Sequence, residues 1–298
     1  MSQTMTSPTV TLIGPGAIGG SLAAGLVEAG HTPTIAARTP FDRLQVEWPN
    51  GSLDVEVNCV SDPADMEPAD IVIVATKATQ NHTIADHVRA ATRPGSTLVI
   101  AQNGVDHRQR FADVVDDGVE VLPAVVMLPA SRTGPGQIHV GKVSRLIVPA
   151  GASADGVAEA FAGSFIEIEA TDDWLSSAWF KLIINAASGG IGVLTRHGSE
   201  IYTDPDVQEL LQMLMEEVAT VGRAEGASID EEVPAQLVRN MAANTGSHMA
   251  SIVVDRINGV PTEWRERNEV VVRCADRHGI AVPLNRAVTT LIRMGEPS

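Results

Sequence analysis

Gly14-Pro15-Gly16-Ala17-Ile18-Gly19 has the glycine spacing that lets a backbone fold around a dinucleotide pyrophosphate. It follows the apolar run Val10-Thr11-Leu12-Ile13 and precedes an Ala/Leu-rich stretch, Ser21 to Ala29, closed by Gly30. Strand, glycine turn and helix in that order are the context that gives the pattern meaning. Gly14 permits the tight turn, Gly16 admits the phosphates and Gly19 allows the helix to pack close. The free N–H groups at the helix start then face the anion. About 20 residues on, Thr34-Ile35-Ala36-Ala37 is followed by Arg38. A carboxylate there would bind a ribose 2′-hydroxyl; a planar cation suits a 2′-phosphate. NADP is therefore expected over NAD.

A second group of residues sits in the other half of the chain. Lys181 and Asn185 stand four apart in Trp179-Phe180-Lys181-Leu182-Ile183-Ile184-Asn185, so a helix carries both on one face. An ammonium in so apolar a stretch is costly unless it is paired or used. Ser251 and Asp255 share the same spacing, as do Glu263 and Arg267. By pattern alone, the last pair reads first as an ordinary surface ion pair.

Elements that could position these groups are legible around them. Ile71-Val72-Ile73-Val74-Ala75 and Thr97-Leu98-Val99-Ile100 read as buried strands, with a helix over Ala85 to Thr92 between them. Lys77 follows the first strand and Asn103 the second, at the carboxyl ends where parallel sheets bind ligands. Val121 to Met127, Gln137 to Val140, Arg145 to Val148 and Phe165 to Ile168 are expected to extend the same sheet. From Asp173 the pattern turns helical almost to the end. The fold expected is α/β: a Rossmann-type dinucleotide-binding domain over 1–170, then an all-helical domain for substrate and dimerisation over 171–298.

Composition narrows the classes. The 298 residues are 44% hydrophobic but only 3% aromatic, which suits an aliphatic α/β core. A formal charge of −16 with no Lys/Arg cluster argues against nucleic acid and anionic membranes as partners. Cys59 and Cys274 have no CxxC neighbour, so neither a disulfide framework nor a metal site is expected. Residues Met1 to Val10 lack the pattern of a signal peptide. Ala178 to Thr195 is too polar in its centre for a membrane span. A cytoplasmic protein follows, and the apolar helices of the second half make a homodimer plausible.

Together these marks resemble the ketopantoate reductase (2-dehydropantoate 2-reductase) family over nearly the whole chain. They are the glycine turn, Thr76-Lys77-Ala78-Thr79-Gln80, Gln102-Asn103-Gly104, Lys181 with Asn185, and Ser251 followed by Asp255 and Glu263. The stretch Arg277 to Pro283 is similar to the family's closing helix boundary. The resemblance implies NADPH-dependent reduction of a 2-oxo acid, ketopantoate first, to a 2-hydroxy acid. It implies Lys181 as proton donor and Glu263 as the carboxylate that orients substrate or lysine and favours the ammonium. Asn103 would hold the lysine or nicotinamide region, and Asn185 and Ser251 the substrate oxygens. Lys77, Gln80 and Arg38 would contact the adenosine end, while Asp255 would orient neighbouring groups.

One position departs from the pattern. Gly189 stands where the family commonly has a second asparagine, one turn after Asn185, within a Ser188-Gly189-Gly190 run that should soften the helix. A different carbonyl or imine substrate on the same architecture is the alternative. A non-catalytic NADPH sensor is a more distant one, because it would need neither Lys181 nor Glu263.

Overall fold

Short Val/Ile runs with both faces covered form the middle of the first sheet, as parallel strands require. The structure is a computed structural model that describes residues 7–246 and 249–297. The chain divides into two compact units, Met1–Gln102 with His107–Trp174, and Asn103–Asp106 with Leu175–Ser298.

In the first unit, six strands pair in parallel: Val10–Ile13 (β1), Thr34–Ala36 (β2), Cys59–Val60 (β5), Ile71–Val74 (β6), Thr97–Ile100 (β7) and Glu120–Pro123 (β8). Their order is β5-β2-β1-β6-β7-β8. The sequence direction therefore reverses at β1, whose neighbours are β2 and β6, and such a switch point is where open α/β sheets bind ligands. Ala17–Glu28 (α1), Asn81–Ala91 (α2), His107–Phe111 (α3) and Ala152–Ala160 (α4) complete the α/β unit.

The later strands do not extend this sheet as expected. Only Glu120–Pro123 joins it. Val125–Met127 (β9) instead pairs antiparallel with Arg145–Pro149 (β12), which pairs in parallel with Glu167–Thr171 (β13). Gln137–Val140 (β11) lies in a four-stranded sheet with Ala130–Gly134 (β10) and a hairpin absent from the sequence reading, Arg43–Trp48 (β3) and Gly51–Glu56 (β4). The physical reason is in the burial. β6 is covered along its whole length, whereas β3 and β11 alternate buried and exposed. One-sided strands belong to sheets with a wet face.

The second unit is helical: Trp174–Thr195 (α5, whose first residue closes the first unit), Pro205–Ala224 (α6), Val233–Ala243 (α7), Ser251–Ile257 (α8), Val270–His278 (α9) and Pro283–Met294 (α10). Their starts carry ordinary signals. The Asp204 side chain accepts from the amides of Asp206 and Val207, with Pro205 at the first turn. α9 closes on Gly279 at φ 65°.

α5 is long and apolar enough to cross a membrane by composition, but 67% of that stretch is buried within the protein. It also runs unbroken through Ser188-Gly189-Gly190. A Cβ on Gly190 would meet Val288 Cγ1 at 2.8 Å, and one on Gly192 would meet Val253 Cγ2 at 2.6 Å. The small residues let α8 and α10 pack close, which offsets a propensity cost of roughly 1 kcal/mol per glycine. Cys59 and Cys274 are free thiols.

Candidate active site

The glycine turn of the first unit is built as the spacing predicts. Gly14 sits at φ 90°, and a Cβ there would stand 2.4 Å from Thr76 Cγ2. A Cβ on Gly19 would stand 2.1 Å from the Gly14 carbonyl oxygen, so both glycines are obligatory for the turn itself. Gly16 differs: the space where its Cβ would point is open to 4 Å. That cradle at the N-terminus of α1 fits a pyrophosphate, whose charge the helix end favours. Pro15, Ala17 and Ile18 form the rest of the turn and the start of α1.

Arg38 lies exposed just past β2. Lys77 immediately precedes the 3-10 turn Ala78–Gln80 that follows β6. The cofactor candidates thus leave the carboxyl ends of β1, β2 and β6. Buried Gln102 ties the start of α2 to α3. Its Nε2 donates to Asn81 Oδ1 at 2.7 Å, and its Oε1 accepts from Arg110 at 3.0 Å.

Asn103, expected to serve both cofactor and substrate, belongs to the helical unit. There its Nδ2 donates to Glu263 Oε2 at 2.9 Å, and its Oδ1 accepts from Asn185 Nδ2 at 3.5 Å. Glu263 in turn faces Arg267, whose NH2 is 3.6 Å from Oε2. Arg267 NH2 donates to Ser251 Oγ at 2.9 Å. Lys181 lies in the fields of both Glu263 and Arg267. The structure therefore gathers Asn103, Lys181, Asn185, Ser251 and Glu263 into one cluster, with Arg267 at its centre. Asp255, one turn past Ser251, is buried.

The surface reading of Glu263 and Arg267 fails. Their side chains are only 8% and 4% exposed. A π-helical turn, Arg265–Glu269, explains how a run of charges goes inward: Glu266, Arg267 and Asn268 are buried consecutively. An extra residue in a helical turn rotates side chains that an α-helix would leave in water, and such bulges gather at functional sites. Asn268 Nδ2 pins the turn to the Ala186 carbonyl of α5 at 2.9 Å. The approach to Glu263 is fixed as well. Thr262 donates its amide and hydroxyl to the Glu296 carboxylate at 2.9 and 2.7 Å, and Glu296 is paired with Arg256 at 3.1 Å.

Electrostatics set the state of Lys181. Its pKa is lowered from 10.5 to about 7: desolvation by burial is the largest cause, the Arg267 guanidinium lowers it too, and Glu263 acts the other way. An ammonium poised near neutrality, in a fixed cluster of amides and a carboxylate, can deliver a proton to a developing oxyanion.

The N-terminal family model of ketopantoate reductase PanE/ApbA matches residues 10–152, and its C-terminal counterpart matches 173–296. This chain belongs to the ketopantoate reductase family. A 2-dehydropantoate 2-reductase of Caulobacter vibrioides is 34% identical over 285 residues, covering 95% of this chain and 98% of that protein. The crystal structure of a PanE/ApbA family ketopantoate reductase from Ralstonia eutropha superposes with a TM-score of 0.88 at 27% identity, covering 97% of this chain and 98% of that one. A dimeric ketopantoate reductase from Staphylococcus aureus shares the fold, with a TM-score of 0.87 at 21% identity and 97% and 98% coverage.

Within this cluster, Arg267 is the residue that the sequence reading left as a plain ion-pair partner. The Glu263–Arg267 spacing was visible. Its burial was not, because the run Trp264-Arg265-Glu266-Arg267-Asn268-Glu269 has the composition of a solvated helix face.

Proposed function

We propose that this chain reduces a 2-oxo acid to the 2-hydroxy acid with NADPH, and that ketopantoate is its leading substrate. The observation that carries the proposal is Lys181: an amine with a pKa of about 7, set against Glu263 in the helical unit of a ketopantoate reductase family member. When bound, NADPH supplies the hydride that adds to the carbonyl carbon. Lys181 Nζ donates the proton that the carbonyl oxygen takes up, so hydride and proton together convert C=O to CH–OH. Glu263 favours the charged lysine, and Asn103 holds Glu263 through its 2.9 Å hydrogen bond. Asn185 and Ser251 are the expected donors to substrate oxygens. Gly14, Gly16 and Gly19 fit the pyrophosphate, Arg38 the 2′-phosphate, and Lys77 and Gln80 the remainder of the adenosine end.

Among the described residues, eight of the nine exposed large hydrophobic side chains, Phe180 to Met294, lie in the helical unit, and Leu291 and Met294 are 58% and 73% exposed. A homodimer through that unit is part of the proposal. The two free thiols accord with a reducing, cytoplasmic setting.

Gly189 supports a second reading, in which another 2-oxo acid is preferred. Consumption of NADPH by the purified chain, measured with ketopantoate and a panel of 2-oxo acids, decides between them. Selective turnover of ketopantoate, lost in Lys181→Ala, is the expected result. Tight NADPH binding without ketopantoate turnover would move the substrate elsewhere in the panel.

A further inference from the structure

A guanidinium is seldom buried without a full set of partners. Arg267 is 4% exposed in its side chain, and its Nε makes no hydrogen bond. Its NH2 reaches Ser251 Oγ at 2.9 Å but stands off from Glu263 Oε2 at 3.6 Å, beyond hydrogen-bond range. That carboxylate oxygen already accepts from Asn103. Its NH1 lies 3.9 Å from where a Cβ of residue 189 would be, and the bare Gly189 backbone puts no side chain against it there. Lys181, Arg267 and Glu263 carry two positive charges and one negative when the lysine is protonated. One positive charge in excess among these three groups suits a monoanion.

We propose that Arg267 binds the substrate's carboxylate, paired with Ser251, and so determines the chain's preference for 2-oxo acids over uncharged carbonyls. The inference rests on the reductase reading and names the part of the substrate that Arg267 holds. A guanidinium offers two parallel N–H donors that match the two oxygens of a carboxylate. With that end fixed at Arg267, the adjacent keto oxygen is the atom left for Lys181. A bound carboxylate also offsets the Arg267 field that holds the Lys181 pKa down, so the acid charges when substrate arrives. Gly189 then has a function. A Cβ there would stand 3.1 Å from Ile252 Cγ2 and 3.9 Å from Arg267 NH1, so a side chain that extends further, such as asparagine, would compete for the guanidinium.

The test uses the full-length protein with NADPH and ketopantoate, in wild type, Arg267→Met, Arg267→Lys and Gly189→Asn. Losing a charge-assisted pair should raise KM for ketopantoate about 10- to 100-fold in Arg267→Met. Arg267→Lys should recover part of it, since it keeps the charge but loses the fork. Gly189→Asn should raise KM in the same direction. NADPH affinity should stay within about twofold in all three, a constancy that a collapsed fold would not give. Oxamate, an inert carboxylate with the same head group, should bind NADP+-loaded wild type and lose affinity in parallel in Arg267→Met. Unchanged KM and unchanged oxamate binding in Arg267→Met would overturn the assignment, as would equal loss of NADPH binding. A wild-type protein that binds oxamate through Arg267 yet turns over no ketopantoate would overturn only the choice of substrate.

Discussion

Replacing Lys181 with methionine should make the helical unit more stable while abolishing turnover. The Lys181 pKa is about 7 in the folded protein against 10.5 as its ordinary value. The folded state therefore binds fewer protons than the unfolded chain between those two pH values, and wild-type stability rises as pH climbs through that window. Below pH 7 the cost of burying the charge is fully present. The difference of 3.5 pKa units sets an upper limit of about 5 kcal/mol. Lys181 is partly exposed, so solvent screening lowers the expected gain to about 2 kcal/mol. Methionine matches the lysine stem and needs no hydration. Glu263 keeps its hydrogen bond from Asn103 and the nearby Arg267 charge, so it is not stranded. Thermal unfolding at a series of pH values should show Lys181→Met melting roughly 4–8 °C above wild type near pH 6. The gap should close toward pH 10. Turnover of ketopantoate should fall by at least about 100-fold, the usual worth of a positioned acid. A variant that melts below wild type, or a gap independent of pH, would refute the argument that burial of this charge sets its pKa.

Three further outcomes follow from the same geometry. Protonated Lys181 is the active form, so kcat/KM should fall on the alkaline side of about pH 7; Glu263→Gln removes the group that raises its pKa and should move that limb to lower pH by about one unit. A pH–rate profile with the limb unmoved, or moved upward, would count against the assignment. In the glycine turn, Gly16→Ala meets open space and should leave the melting temperature unchanged while weakening NADPH at least about tenfold. Gly19→Ala, aimed at the Gly14 carbonyl, should lower stability as well, and differential scanning with fluorescence titration separates the two. Arg38→Ala should cut the preference for NADPH over NADH by about 10- to 100-fold with little effect on NADH itself, read from kcat/KM with each cofactor.

Much of the first unit was legible because its signals are local. Gly14, Gly16 and Gly19 stand where one short turn needs them, β6 is an unbroken Val/Ile run, and β1 and β7 are apolar apart from one threonine each. The hairpin β3–β4 was legible in principle too. Leu44, Val46 and Trp48 alternate with polar residues, and Trp48 pairs with Gly51 across the two-residue turn Pro49-Asn50. It went unread beside the stronger buried strands. The division into three sheets was not legible in the same way, since strand pairing is a choice among partners distant in sequence.

The amino-acid sequence by itself determined the nucleotide-binding turn, the change from α/β to helix near residue 173, and the presence of Lys181, Asn185, Ser251 and Glu263 at family spacing. Only the tertiary structure decided that Asn103 serves the helical unit through Glu263, and that Arg267 is buried among these groups. The reason is physical. Charge patterns report a side chain's taste for water one residue at a time. Whether water is there depends on a π-helical turn, on the Asn268 bond to α5 and on the bare backbone of Gly189, which reach one another only when the helices pack.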